Sequence, residues 1–224
     1  MSNMDGFIAQ TLVHTNDGMK PIGEIRAGDL VLSHAENPAL SVTRGYKRVA
    51  RTFCFEDQRI VHFCWYRHNG KGRGEFGHVF ATPNPLVWSH PQGWLPIGRV
   101  PYTSDCGEQW FGRNLVMADG TAGERYEINS VYRTQREAVA FLRCDGEGGF
   151  VDLSSAPHRF LGQHEYDEPW REDQDSDEWQ IYTARVCHLE VEEGHTFFVG
   201  VTGLLVHDVS LTSAKVPTSL IDVN

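Results

Sequence analysis

The stretch Val186–Asp208, VCHLEVEEGHTFFVGVTGLLVHD, contains three short apolar runs separated by two turn sequences. In the first run, VCHLEV, apolar residues alternate with polar ones, which places His188 on the face opposite the apolar side chains. The second and third runs, HTFFV and LLVH, are rich in the aromatic and aliphatic residues that strands favour. The stretch therefore predicts a three-strand meander whose last strand ends on His207 and Asp208.

The chain before this stretch has the same short strand-and-turn pattern. Asp17–Gly18 is a two-residue hairpin signal, and residues 21–25 predict a tight turn whose isoleucines face inward. Further strands are predicted at residues 30–32, 46–55 and 59–65. No segment keeps a helical period for more than about two turns, so the sequence predicts an all-β fold.

Length and composition narrow the class of protein. The 224 residues can bury a large core, and no linker divides them. No apolar run approaches the roughly 20 residues that cross a bilayer, and no signal peptide is visible, so we expect no membrane contact and synthesis in the cytoplasm, with export as part of an effector left open. Five widely spaced cysteines favour reduced thiols over a disulfide framework.

The charge is concentrated in one segment. The chain carries a net charge of −10, of which residues 165–178 hold −7, and no basic cluster stands out elsewhere. We therefore expect no nucleic-acid binding. The acidic segment is interpreted as a solvated loop, with a docking site for a basic partner as the alternative.

Three blocks of the sequence, in order, resemble the Hint superfamily, which comprises inteins, Hedgehog autoprocessing domains and polymorphic-toxin domains. The opening block is GFIAQTLVHTNDGMKPIGEIRAGDLVLS (6–33), the second is ATPNPLVWSHPQGWLPIGRV (81–100), and the closing block is residues 186–208. The polymorphic-toxin and bacterial intein-like type is the most similar. The resemblance implies an all-β, horseshoe-like fold with pseudo-twofold symmetry, in which the two ends of the domain meet in a central cleft.

The same resemblance divides the chain. Residues 1–5 are an N-terminal extension, 6–208 the Hint domain, and 209–224 a linker or the start of a downstream segment. The region of about 143–180 interrupts the family pattern as an acidic insertion. The flanking segments of a precursor are the partners that such a domain implies.

The resemblance also implies which positions carry chemistry. In active members a Cys or Ser at the first position attacks the preceding carbonyl, a Thr and a His of the second block polarise that bond, and a terminal His-Asn pair releases the downstream segment. Here the first position is Gly6, Thr82 matches, Pro85 replaces the second-block His, and the terminal pair is His207 and Asp208. Gly6 offers no attacking atom, so splicing by the standard route should be absent.

The C-terminal half of the chemistry remains open. Asp208 can in principle attack its own carbonyl through a cyclic anhydride, with His207 assisting departure of the Val209 amine. His195 matches a family His that supports the terminal one, and the alternative is a core histidine bonded to backbone. These residues leave two hypotheses: a degenerate domain kept as a structural or interaction module, and an autoproteolytic module that cleaves after Asp208.

Possible metal ligands are scattered. His62, Cys64, Cys187 and His188 lie on strands, but no short-spacing motif links them. We therefore expect buried structural side chains there, with no metal and no cofactor.

Overall fold

We describe the fold from a computed structural model. The structure describes residues 4–41, 43–68, 74–101, 115–143, 148–161 and 179–208. Within these ranges the chain forms seventeen β-strands and two short 3₁₀ helices, without an α-helix. In the same ranges, no helix has the length and apolar character needed to cross a membrane.

All the strands belong to one sheet, and every strand pairing is antiparallel. The strands are β1 (Phe7–Ile8), β2 (Leu12–Thr15), β3 (Gly18–Pro21), β4 (Leu30–His34), β5 (Arg44–Arg59), β6 (Val61–His68), β7 (Gly74–Ala81), β8 (Leu86–Ser89), β9 (Gly93–Pro96), β10 (Leu115–Val116), β11 (Ala122–Arg133), β12 (Val139–Arg143), β13 (Gly148–Asp152), β14 (Arg159–Leu161), β15 (Thr183–Val191), β16 (Thr196–Val199) and β17 (Leu204–His207). The 3₁₀ helices are η1 (Ile22–Glu24) and η2 (Ile97–Arg99). The predicted all-β class is confirmed.

The predicted strands are present, but two boundaries differ. β5 is 16 residues long and begins before the predicted start, because its first half pairs with β4 and its second half with β15. Its side chains are mostly exposed and many are charged, so apolar patterning could not reveal its length. The first hairpin is one residue earlier than predicted: Thr15 pairs with Gly18, which has a φ of +103° that suits glycine.

The sequence Pro-Ile-Gly occurs twice, at residues 21–23 and 96–98, and both copies build the same structure. In each copy a hairpin ends on the proline, and the isoleucine of the following 3₁₀ helix is buried. The glycine N–H of each copy donates to a backbone carbonyl, that of Ala9 at 2.9 Å and that of Pro83 at 2.8 Å. This repetition is a local form of the pseudo-twofold symmetry that the resemblance implied.

The predicted three-strand meander is only partly correct. β16 and β17 form a hairpin, with Thr196 opposite His207. β15 instead pairs with β1 on one side and β5 on the other. His188 lies on the face opposite the apolar side chains of β15 but is only 7% exposed, in agreement with the expected buried structural side chain. β15 is buried on both faces near its middle. Alternation of apolar and polar residues in the sequence does not distinguish such a strand from a half-exposed one.

The core has two main parts. The larger part includes Phe7, Trp65 and Phe197 and lies among the strands of the two Pro-Ile-Gly hairpins. A second part receives Leu142 from β12 and Val151 from β13, together with residues of β1, β7 and β15. The predicted boundary of the insertion at residue 143 falls at the end of β12, which pairs with β13 across it. The acidic residues 165–178 and the tail 209–224 lie outside the described residues.

The prediction of reduced thiols is wrong for one pair of cysteines. Cys54 and Cys187 form a disulfide that joins β5 to β15, with their Cα atoms 4.1 Å apart. The two residues are direct cross-strand partners although they are 133 positions apart in sequence. Only the long-range pairing of these strands brings them together, so cysteine spacing gave no sign of it.

Candidate functional site at the two ends of the domain

β1 places the N-terminal end of the domain between two strands. Phe7 is opposite Cys187 of β15 on one side and Ala81 of β7 on the other. Gly6 therefore lies next to Thr82, which follows β7, and the two residues are joined by backbone and side-chain contacts. The Thr82 amide donates to the Gly6 carbonyl at 2.9 Å, and the Gly6 amide donates to Thr82 Oγ1 at 3.1 Å.

The second of these hydrogen bonds involves the amide nitrogen of the peptide bond between Asp5 and Gly6. The bond between Asp5 and Gly6 is the one that the sequence resemblance marks as the N-terminal junction. Thr82 is fully buried, and its hydroxyl oxygen accepts the N–H of that bond. Thr82 is thus hydrogen-bonded to this amide, and its role as a polarising residue stays a prediction.

Gly6 lacks a nucleophile, and its surroundings leave little space for one. An ideal Cβ built on Gly6 would lie 2.8 Å from the Cys187 carbonyl oxygen and 3.1 Å from its carbonyl carbon. Because these are backbone atoms of a paired strand, β1 or β15 would have to move to accept a side chain. The glycine is therefore part of how β1 packs against β15.

Pro85 occupies the second-block position at which the resemblance implies a histidine, and it is buried immediately before β8. Its carbonyl accepts the Ile97 amide at 2.9 Å, which holds η2 in place. It has no proton to donate to a leaving group. His90, which follows the last residue of β8, is exposed.

The C-terminal end of the domain is held by a buried carboxylate. The side chain of Asp208 is 2% exposed, and its Oδ2 accepts the Val191 amide at 2.7 Å. Its Oδ2 also lies 3.2 Å from His195 Nδ1, and its Oδ1 lies 3.5 Å from His207 Nδ1. The Asp208 amide donates to the His195 carbonyl at 2.8 Å. The sequence-predicted residues His195, His207 and Asp208 therefore lie together.

The ionised form of Asp208 is favoured. Burial raises the pKa of the carboxyl, but the contact with His207, the Val191 amide and the charges of His195 and His207 outweigh it. The resulting pKa is below the usual value of an aspartate. The carboxylate is thus an acceptor at neutral pH, which is the form that can act as a nucleophile.

The two histidines differ in their surroundings. His195 has a half-exposed side chain, so the alternative that it is a buried core histidine is wrong. Its ring stacks with that of His207 at 6.2 Å and an interplanar angle of 5°. His207 is 6% exposed, and its Nε2 lies 3.4 Å from Glu36 Oε1. Trp94, which follows the turn after β8, packs edge-on against the His207 ring at 4.8 Å.

Two residues of this region were missed as members of a junction site. His188 Nε2 donates to the Asp208 carbonyl oxygen at 2.6 Å, so that it contacts the carbonyl of the bond to Val209. Asp5, which the sequence placed in the N-terminal extension, is 4% exposed. His188 had been considered only as a possible metal ligand, and neither residue carries a local pattern that points to this cleft.

The candidate metal ligands do not converge. Among the residues that the structure describes, no three His, Cys, Asp or Glu side chains are arranged to hold a metal ion. Cys187 is in the disulfide, and its neighbour His188 bonds to Asp208. His62 lies in an aromatic cluster, with its ring stacked on Phe80 at 4.9 Å.

Comparison with known proteins identifies the fold. No protein-family model matches the chain, and no curated protein matches it in sequence. The structure is similar to that of a bacterial intein-like domain from Clostridium thermocellum, with 16% identity and a TM-score of 0.53, covering 91% of this chain and 99% of that one. It is also similar to the Ssp DnaB mini-intein variant M86, with 11% identity and a TM-score of 0.52, covering 94% and 98% of the two chains. The chain therefore has the Hint fold of inteins and intein-like domains.

Proposed function

We propose that this chain is a splicing-incompetent Hint domain that serves as a structural or interaction module of a larger protein. The observation that carries the proposal is the packing of Gly6, because a Cβ there would lie 2.8 Å from the Cys187 carbonyl oxygen. An acyl shift needs a nucleophile within bonding distance of the Asp5 carbonyl. Gly6 supplies no nucleophile, and the backbone of Cys187 occupies the space that a side chain at position 6 would need.

The second block supports the same proposal. Thr82 retains its contact with the junction amide, but Pro85 has no proton for the departing nitrogen. A polarised amide without an attacking group is stable. The hydrogen bonds between Gly6 and Thr82 then act as structural links between β1 and the segment after β7.

The larger protein is proposed to be of the toxin type, since the three sequence blocks resemble those of polymorphic-toxin domains. The flanking segments of the precursor would leave the domain from one cleft, next to Asp5 and Asp208. A protein partner would bind at this cleft or at the acidic segment 165–178. Synthesis in the cytoplasm and delivery as part of an exported effector are consistent with this context.

The proposal is tested with the chain placed between two folded reporter proteins. The intact masses of the products are followed over days at neutral pH. We expect no ligated reporter pair and no release of the N-terminal reporter. A ligated product, or release at the bond between Asp5 and Gly6, would contradict the proposal.

A second function is cleavage after Asp208, which would release a C-terminal passenger. The observation in its favour is the buried Asp208 carboxylate, which lies beside two histidines while its own carbonyl accepts a hydrogen bond. The same precursor tests it: release of the C-terminal reporter at the Asp208–Val209 bond, abolished by His207→Ala, would establish this activity. A constant mass of the precursor would exclude it and favour the structural role alone.

A further inference from the structure

The cleft contains buried polar groups that neither the N-terminal contacts nor the Asp208 carboxylate explains. Asp5 is 4% exposed, and neither of its carboxylate oxygens has a hydrogen-bond partner among the described residues. His188 is 7% exposed, and its Nδ1 likewise has no partner there. Buried polar groups without partners are uncommon in folded proteins, and they concentrate where function requires them.

The hydrogen bond of His188 fixes how its ring is protonated. Its Nε2 lies 2.6 Å from the Asp208 carbonyl oxygen, which can only accept. Nε2 must therefore carry a proton, and in the neutral ring Nδ1 is left as an acceptor. The Nε2 proton is directed at the carbonyl oxygen of the peptide bond between Asp208 and Val209.

Asp5 acts on the same ring from the other junction. Burial, together with the charge of His207, holds the pKa of His188 below its usual value, although its bond to the Asp208 carbonyl and the charges of Asp208 and Asp5 act in the opposite direction. β1 brings Asp5 to this position, because Phe7 pairs with Cys187, the residue before His188. The ring thus contacts the Asp208 carbonyl at one end of the domain, and the charge of Asp5, at the other end, also acts on it.

We propose that His188 is a catalytic residue of the C-terminal junction, where its Nε2–H stabilises negative charge on the Asp208 carbonyl oxygen while the Asp208 carboxylate attacks. This inference rests on the second function proposed above. A preorganised donor of this kind is most effective in a buried site, where water does not compete for the oxygen.

The step balances without a further reactant except water. A carboxylate oxygen of Asp208 forms a bond to its own carbonyl carbon, and the carbonyl electrons move to the oxygen that His188 contacts. When that tetrahedral intermediate collapses, the bond to the Val209 nitrogen breaks, and the nitrogen takes a proton from protonated His207. Water then opens the cyclic anhydride, which leaves two carboxyl groups on Asp208 and returns a proton to His207.

The test uses the full chain with a reporter fused after Asn224, and it measures the rate of reporter release by intact mass. His188→Ala is expected to reduce the rate about 100-fold, as removal of one such donor does in other enzymes. His188→Gln retains an N–H donor and should cleave at least about tenfold faster than His188→Ala. His14→Ala is the matched control, because His14 Nε2 contacts the Gly200 carbonyl at 2.9 Å, away from the cleft. This control should cleave at the wild-type rate.

The ring ¹⁵N chemical shifts of His188 in the wild-type chain provide a measurement that does not depend on how well the variants fold. They should show a protonated Nε2 and an unprotonated Nδ1 at neutral pH, and the opposite tautomer would overturn the inference. Release at the wild-type rate from folded His188→Ala would overturn the role of His188 and leave the cleavage function intact. A wild-type fusion that releases no reporter would overturn both.

Discussion

The hydroxyl of Thr82 joins the segment after β7 to the residue before β1. It is fully buried, and it accepts the amide of Gly6, a residue 76 positions away. In a domain without a nucleophile, this bond contributes to stability whether or not it contributes to chemistry. This hydrogen bond is therefore consistent with a structural role of Thr82.

We predict that Thr82→Val lowers the free energy of unfolding by about 1–3 kcal/mol, because it leaves the buried Gly6 amide without an acceptor while it conserves volume. Chemical denaturation monitored by fluorescence measures the change. Thr15→Val is the control, since the Thr15 hydroxyl bonds to Gly18 in an exposed turn, and its loss should be at most about 0.5 kcal/mol. Equal losses in both variants would show that the hydrogen bond with Gly6 contributes no more to the free energy of unfolding than a bond in an exposed turn.

Several site residues could be predicted because their local sequences are distinctive. Gly6, Thr82, His195, His207 and Asp208 each occupy a fixed place in a recognisable block. The structure places Gly6 and Thr82 against each other and groups His195, His207 and Asp208, and the two groups meet at Cys187 and His188 of β15, while their chemical roles stay predictions.

His188 and Asp5 could not be assigned to this site from the sequence. A strand pattern assigns His188 to one face of β15 but does not say what covers that face. Asp5 precedes the first block, so no pattern includes it. Both become members of the site only through the long-range pairing of β1 with β15.

Residues 158–161 are joined to the strands β6 and β7 by a cluster of histidines and aromatic rings. His62 of β6, His78 of β7 and His158 before β14 lie close together, with ring centroids 5.7 Å and 6.1 Å apart along this series. Phe160 of β14 packs on His78 at 4.9 Å, and Phe80 of β7 lies 5.2 Å from His158. The cluster therefore connects β14 and the residues before it to β6 and β7.

Burial keeps these histidines neutral. It lowers the pKa of His62 to about 3, with the charges of His78 and His158 adding to the shift. It lowers the pKa of His78 to about 4 and that of His158 to about 4, where the Ser155 backbone contact and the charge of Asp152 act in the opposite direction. In the unfolded chain each has the ordinary value of 6.5.

The sign of the pH dependence follows from these shifts. Between pH 6.5 and about 4 the unfolded chain binds more protons than the folded one, so stability is complete above this window and falls as pH decreases through it. We predict that His78→Gln makes the loss of unfolding free energy between pH 7 and pH 4.5 smaller by about 2 kcal/mol. Urea titrations at the two pH values measure this loss.

His90→Gln is the control for this prediction, because His90 is exposed and its substitution should leave the pH dependence of the wild type unchanged. An identical pH dependence in His78→Gln and the wild type would contradict the assignment of the acid sensitivity to the buried cluster.

The strands and turns differ in how well the sequence predicts them. The Pro-Ile-Gly turns and the hairpin β16–β17 follow from local patterns, because proline, glycine and alternating apolar residues determine them. The length of β5 and its pairing with β15 do not, since β5 is largely exposed and its partner is more than a hundred residues away. The Cys54–Cys187 disulfide depends on the same pairing and was missed for the same reason.

In the molecule as a whole, the two ends of the domain meet on β15. One end packs on the Cys187 backbone through Gly6, and the other contacts His188 through the Asp208 carbonyl. The Cys54–Cys187 disulfide joins β15 to β5 at the same place on the strand. The structure thus places both proposed junctions on one strand, and the proposed function holds that Gly6 leaves the first of them without a nucleophile.

The substitution Gly6→Cys tests this conclusion most directly, because it supplies the sulfur that the junction lacks. The variant is placed between two reporters and incubated with dithiothreitol, and its intact mass is followed over time. We predict no thiol-dependent release of the N-terminal reporter and no ligated product, because the new Cβ meets the Cys187 carbonyl and Pro85 and Asp208 are unchanged. Efficient release or ligation by this single variant would contradict the account.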